Sequence, residues 1–103
     1  TNLEIVQRLC DLLDQRYPPP TNDRAGAIQS YHELIGFVAD RPGHDRRYAV
    51  DPTRLESELG WSARETLDSG LARTVDWYLE HLDWCDRVHA GRYHGQRLGL
   101  EKT

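Results

Sequence analysis

Apolar residues recur at helical spacing near both ends of the chain and fall into short continuous runs between them. Leu3, Val6, Cys10 and Leu13 form one stripe of an amphipathic helix, and Ile5, Leu9 and Leu12 widen it, which predicts a well-buried first helix. Thr1 and Glu4 stand at capping-box spacing ahead of that stripe. Three consecutive prolines at 18–20 cannot continue a helix, so it ends after Tyr17. Residues 21–33 are polar and irregular and read as a loop with a short turn. The apolar run at 34–39 predicts a short buried strand, and residues 47–50 a second one.

Asp51 and Pro52 then mark a helix start, an N-cap followed by a preorganised first residue. Leu55 and Leu59 share a face of that short helix and Gly60 closes it, with Trp61 expected to fold back on the two leucines. Ser62 and Glu65 form a capping pattern for the longest helix, whose stripe runs through Leu67, Leu71, Val75, Tyr78, Leu82 and Cys85. A kink near His81, with Asp83 starting a separate short helix, and an end at Gly91 complete the series. The predicted fold is a helix-rich α+β domain over residues 1–103, with a few short strands and no Rossmann sheet.

Composition narrows the function classes. At 103 residues there is room for one domain with a modest core. A formal net charge of -4 argues against nucleic acid as a general partner, because phosphate backbones reward basic surfaces. No apolar run approaches a membrane span and no signal-peptide pattern opens the chain. The chain opens without Met, as a processed or excised piece of a longer polypeptide would. Cys10 and Cys85 lie among apolar helical residues with no disulfide framework around them, which favours reduced, buried thiols and a cytoplasmic setting. His32, His44, His81, His89 and His94 lack the spacing of a tetrahedral metal site, so no metal is expected. Trp61, Trp77 and Trp84 read as core and cover.

The densest chemistry lies in residues 40–48, Asp-Arg-Pro-Gly-His-Asp-Arg-Arg-Tyr. Three arginines and a histidine surround a Pro-Gly turn directly after an apolar run. Arginine presents a planar, permanently charged fork that matches phosphate oxygens two at a time, and a Pro-Gly corner lets the backbone approach a ligand closely. The residues alone leave two readings open. One is a site for a phosphate or diphosphate. The other is a surface turn whose arginines pair with Asp40 and Asp45.

The wider segment 37–51, Phe-Val-Ala-Asp-Arg-Pro-Gly-His-Asp-Arg-Arg-Tyr-Ala-Val-Asp, resembles the C-terminal signature of dTDP-glucose 4,6-dehydratases. Thr-Asn-Leu-Glu-Ile-Val at 1–6 and Cys-Asp-Leu-Leu-Asp at 10–14 resemble the helix before it in that family. Leu-Glu-Ser-Glu-Leu-Gly-Trp at 55–61, Glu-Thr-Leu-Asp-Ser-Gly-Leu at 65–71, Thr-Val-Asp-Trp-Tyr-Leu at 74–79 and the tail from Gly91 to Leu100 resemble the family's stretch after the signature. The resemblance covers nearly the whole chain but only the last third of such an enzyme.

It implies the C-terminal substrate-binding domain of an extended short-chain dehydrogenase, whose full-length form is a homodimer using NAD. Neither the NAD site nor the catalytic residues are present. The glycines at 91, 95 and 99 follow a helix instead of joining a strand to one, and the only lysine, Lys102, has no tyrosine four positions before it. The implied partners are a dTDP-sugar and the absent N-terminal Rossmann domain, with no cofactor held by this chain. The implied substrate contacts are Asn2, Asp40, Arg41, Pro42, Gly43, His44 and, in the tail, Tyr93, with Arg46, Arg47 and Tyr48 as supports behind them. The competing reading is a free-standing, non-catalytic module that binds an anion or another protein. A sister enzyme acting on a different nucleotide sugar falls within the first reading.

Overall fold

In a computed structural model of the chain, residues 1–91 are described. Helix α1 spans Asn2–Arg16, α2 Thr53–Leu59, α3 Leu67–Glu80 and α4 Leu82–His89, with 3-10 helices at Pro19–Thr21 and Tyr31–Leu34.

The first helix forms as its ends dictate. The Thr1 hydroxyl accepts from the Glu4 backbone N–H while the Glu4 carboxylate turns back to the cap, and the Tyr17 N–H closes the far end on the Leu13 carbonyl. Burial differs from expectation. Cys10 is buried, but Leu3 and Val6, at the start of the predicted stripe, stay exposed. A helix buries only the face that another element covers, and here the second 3-10 helix and α3 cover one side of its C-terminal half.

That second 3-10 helix is docked by a polar network. The Asp14 carboxylate accepts from the Ser30 hydroxyl at 2.5 Å and from the Tyr31 N–H at 2.9 Å. Tyr31, 8% exposed, donates its phenol proton to the Tyr17 carbonyl at 2.7 Å and accepts from the Asn22 amide at 2.9 Å. His32 Nε2 lies 2.8 Å from Asp11 Oδ1. A Ser30–Glu33 capping box starts the turn, a pattern readable in the sequence within a stretch whose polar composition predicts a loop.

Helix α3 begins at Thr66, four residues after the predicted Ser62, because Thr66 and Ser69 exchange the reciprocal cap bonds. Glu65 instead accepts from the Ser69 hydroxyl and pairs with Arg73, which lowers its carboxyl pKa. Arg8–Asp68 and Arg16–Asp76 link α1 to α3, both across 60 positions of sequence, so the two helices run parallel. Arg24 continues the series with a bidentate grip on Asp86 at 2.6 and 2.8 Å. Exposed pairs of this kind contribute little each and report the register of the helices more than their stability. Val75, 5% exposed, is the buried contact of α3. The chain breaks at His81, as the sequence predicts, and α4 follows from Leu82. Trp77 and His81 stack at 4.3 Å beside the break.

The two predicted strands are absent among the described residues, so the β part of the expected α+β architecture is corrected to an all-helical one. Residues 35–41 carry no helical or strand structure, and Phe37 and Val38 are 85% and 78% exposed. A strand exists only through a hydrogen-bonded neighbour, and among the described residues no extended segment pairs with this one. Helix α2 starts one residue later than predicted, with Pro52 at the cap and Asp51 accepting from the Thr53 N–H at 3.0 Å. Gly60 ends it in the left-handed region at φ 62°, while Trp61, Leu55 and Leu59 all remain exposed. Cys10 and Cys85 are free thiols, the second only half-buried. Among the described residues no helix is long and apolar enough to cross a membrane.

Candidate functional site

The arginine turn leaves the packed helices on an extended arm and folds by local contacts alone. Gly43 adopts φ 72°, a left-handed conformation that favours glycine, and so closes the corner after Pro42. Asp40 Oδ1 then accepts twice across the turn, from the Arg41 backbone N–H at 2.8 Å and from His44 Nδ1 at 2.8 Å. These bonds, the His44 contact first, lower the Asp40 carboxyl pKa and keep it ionised as an acceptor. With Asp40 an acceptor, His44 Nδ1 carries the proton in that contact, and Nε2 is the ring nitrogen left for a ligand. On the far side of the turn, the Tyr48 hydroxyl donates to Asp45 at 2.9 Å.

The consequence falls on the arginines. Asp40 and Asp45 are engaged by His44 and Tyr48, and no carboxylate among the described residues pairs with the guanidinium of Arg41, Arg46 or Arg47. By contrast Arg8, Arg16, Arg24, Arg54, Arg73 and Arg87 each hold a carboxylate. No salt bridge joins these arginines to Asp40 or Asp45, although Arg41 lies close enough to help lower the Asp40 carboxyl pKa.

A cleft of about 700 Å³ runs between the start of α1 and the loop, walled by Asn2 and Ile5 on one side and residues 44–48 on the other. Pockets of this size suit small ligands. It brings together Asn2 and His44, which lie far apart in sequence. Arg46, Arg47 and Tyr48, expected to stand behind the ligand, form its wall. Asp40, Arg41, Pro42 and Gly43 do not line it; they build the corner beside it. Tyr93 lies outside the described residues. The contribution of Arg46 and Arg47 had no distinguishing mark in the sequence, because nothing in a run of arginines tells which will be paired.

A second cavity, also about 700 Å³ and mostly apolar, lies between α1 and α3, with Leu13, Tyr31, Val75 and Tyr78 among its lining. It reads as an incompletely filled helix interface.

Over nearly its whole length the chain is similar to a segment of proteins named dTDP-glucose 4,6-dehydratase. It is 48% identical over 99 residues to a probable dTDP-glucose 4,6-dehydratase of Sinorhizobium fredii, covering 96% of this chain and 26% of that protein. Identity is 40% over 99 residues to a dTDP-glucose 4,6-dehydratase of Escherichia coli, with the same coverage of 96% and 26%. It is 44% over 101 residues to that of Neisseria meningitidis serogroup B, covering 98% and 27%. The chain thus spans about a quarter of the length of the curated relatives it matches. No family model matches it. No solved structure matches it either.

Proposed function

We propose that this chain is the nucleotide-sugar-binding portion of a dTDP-glucose 4,6-dehydratase, and that it grips the dTDP handle of dTDP-glucose. The observation that carries the reading is the state of the arginine turn: three guanidinium groups in no salt bridge among the described residues, beside a cleft, on a chain of net charge -4. Unpaired guanidinium forks on an acidic protein suit a diphosphate better than a general polyanion.

In this reading the longer protein, a homodimer, converts dTDP-glucose to dTDP-4-keto-6-deoxyglucose. Its NAD and its acid-base residues reside in a Rossmann domain outside this chain, and this chain alone is inactive. Binding of the remote nucleotide positions the sugar for that chemistry, so the energy of the diphosphate contacts serves the reaction at a distance. Arg41 contacts the nucleotide, His44 offers Nε2 from an orientation held by Asp40, and the Asn2 amide closes the opposite wall. Pro42 and Gly43 fix the corner, and Tyr93 reaches the nucleotide from the tail. The exposed Phe37, Val38 and Val50 suit a surface covered by the Rossmann domain. Free thiols suit a reducing, cytoplasmic setting.

Calorimetric titration with dTDP tests the reading. Weak, saturable binding is expected, abolished by Arg41→Ala. Unchanged affinity in that variant removes Arg41 from the site, and a wild-type chain that does not bind dTDP overturns the reading.

A further inference from the structure

We infer that a second copy of this chain pairs with residues 36–38 of the arm as an antiparallel strand, closing a symmetric dimer across Phe37. The inference does not rest on the nucleotide-sugar reading, and a Rossmann domain seated on the same edge takes the place of the second copy.

Residues 35–41 run without helix, turn or bend, and the first of them, Ile35, has extended backbone angles of φ -68° and ψ 116°. The run is open: Phe37 and Val38 are exposed, and nothing lies within 4 Å of where a Cβ on Gly36 would stand. Its backbone donors and acceptors are unevenly available. The Ile35 N–H donates to the His32 carbonyl, and Ala39 is already engaged. The backbone groups of Gly36, Phe37 and Val38 have no hydrogen-bond partner among the described residues. An exposed edge of this kind is a template for another chain.

That availability fixes the register. In an extended chain Gly36 and Val38 direct their N–H and C=O groups to one edge, and Ile35, Phe37 and Ala39 to the other. On the second edge Ile35 and Ala39 are taken, so pairing uses the first. Two copies meeting there place Gly36 of each opposite Val38 of the other, every such pair exchanging both its bonds, about a two-fold axis at Phe37. The two Phe37 rings then form a cross-strand aromatic pair at the non-hydrogen-bonded position, where side chains come closest. Gly36 presents no side chain to the opposing Val38, which comes over a groove of about 360 Å³ lined by Leu3, Val6, Leu34 and Phe37. The same register sets Glu33 of each copy against Arg41 of the other, an arginine in no salt bridge among the described residues. A paired copy offers only Phe37 to a third, so the assembly closes at two instead of growing.

Sedimentation velocity of the 103-residue chain, from about 10 µM to about 1 mM, tests this. A monomer that becomes a dimer as concentration rises, with no larger species, is expected, and so small an interface is a weak one. Val38→Pro removes a donor from each bonded pair and is expected to weaken association about tenfold or more. Phe37→Asp, which sets like charges opposite each other, is expected to act in the same direction. Val50→Asp removes a similarly exposed apolar side chain elsewhere in the arm and is expected to leave association unchanged. In a Cys85→Ser background, oxidation is expected to cross-link Phe37→Cys chains, whose Cα atoms stand about 4.5 Å apart, but not Val38→Cys chains, about 8 Å apart. The inference is overturned if the wild type stays monomeric throughout, if Val38→Pro associates as the wild type does, or if Val50→Asp weakens association as much as Phe37→Asp. Species larger than a dimer overturn the closed assembly, and equal cross-linking of the two cysteine variants overturns the register. Circular dichroism checks that Val38→Pro keeps its helices. The two readings fail separately: a dimer that does not bind dTDP sinks the nucleotide reading alone, and a monomer that binds dTDP sinks the inference alone.

Discussion

The packed helices and the arm at residues 35–66 solve the same problem, satisfying polar groups, by opposite means. In the packed part, polar contacts span long stretches of sequence: Arg8 with Asp68, Arg24 with Asp86, Ser30 and Tyr31 with Asp14. In the arm, the side-chain contacts up to residue 64 reach no further than four residues: Asp40 with His44, Asp45 with Tyr48, Asp51 with Thr53, Arg54 with Glu58; only Glu65, at its end, reaches further, to Arg73 on α3. Where two elements lie against each other, carboxylates and guanidinium groups meet across the gap and neutralise one another. Where the chain stands alone, only near neighbours can meet, and any arginine without a carboxylate at the right local spacing stays free. The same openness that denies the arm a core leaves its arginines available to a ligand.

The sharpest way to break this comparison is to delete an aromatic from each region. Tyr31→Ala removes one of the few buried side chains together with two hydrogen bonds, and should destabilise by about 3 kcal/mol or more in denaturant titration. Phe37→Ala, at 85% exposure, should change stability by less than about 0.5 kcal/mol. Equal effects would show that the arm is packed in solution and that the contrast is false.

A smaller effect tests whether the arm melts on its own. Gly60 holds φ 62° with nothing within 4 Å of where a Cβ would stand, so Gly60→Ala strains the backbone without a clash. The expected cost is about 1 kcal/mol, confined to α2. Hydrogen exchange should show faster exchange of α2 amides with α1 and α3 unaffected; faster exchange in all three would join the two regions into one cooperative unit.

The smallest effect is one of pH. Bonds from Ser30 and Tyr31 lower the Asp14 carboxyl pKa in the folded chain. A carboxyl whose folded pKa is depressed stabilises above its unfolded pKa of about 4, and that contribution is lost as pH falls through the folded value. Melting temperature should therefore fall more steeply below about pH 4 in the wild type than in Asp14→Asn, which is less stable at neutral pH. Parallel acid limbs would show that Asp14 does not tie the 3-10 helix to α1.

What the sequence alone determined was local. The Thr1–Glu4 box, the proline stop, the Gly60 end, the break at His81 and the Pro42–Gly43 corner all depend on residues within one turn of each other, and all form where the pattern places them. The Ser30–Glu33 box was equally legible, obscured only by the polar composition around it. Tertiary structure decided the rest. Whether residues 34–39 and 47–50 become strands depends on a neighbour to pair with, and hydrophobicity at those positions cannot supply one. Whether α1 is buried depends on what lies against each face. Which arginines enter salt bridges was likewise beyond the sequence, because a guanidinium and a carboxylate attract at any nearby spacing, and only the folded chain fixes which pairs come within reach.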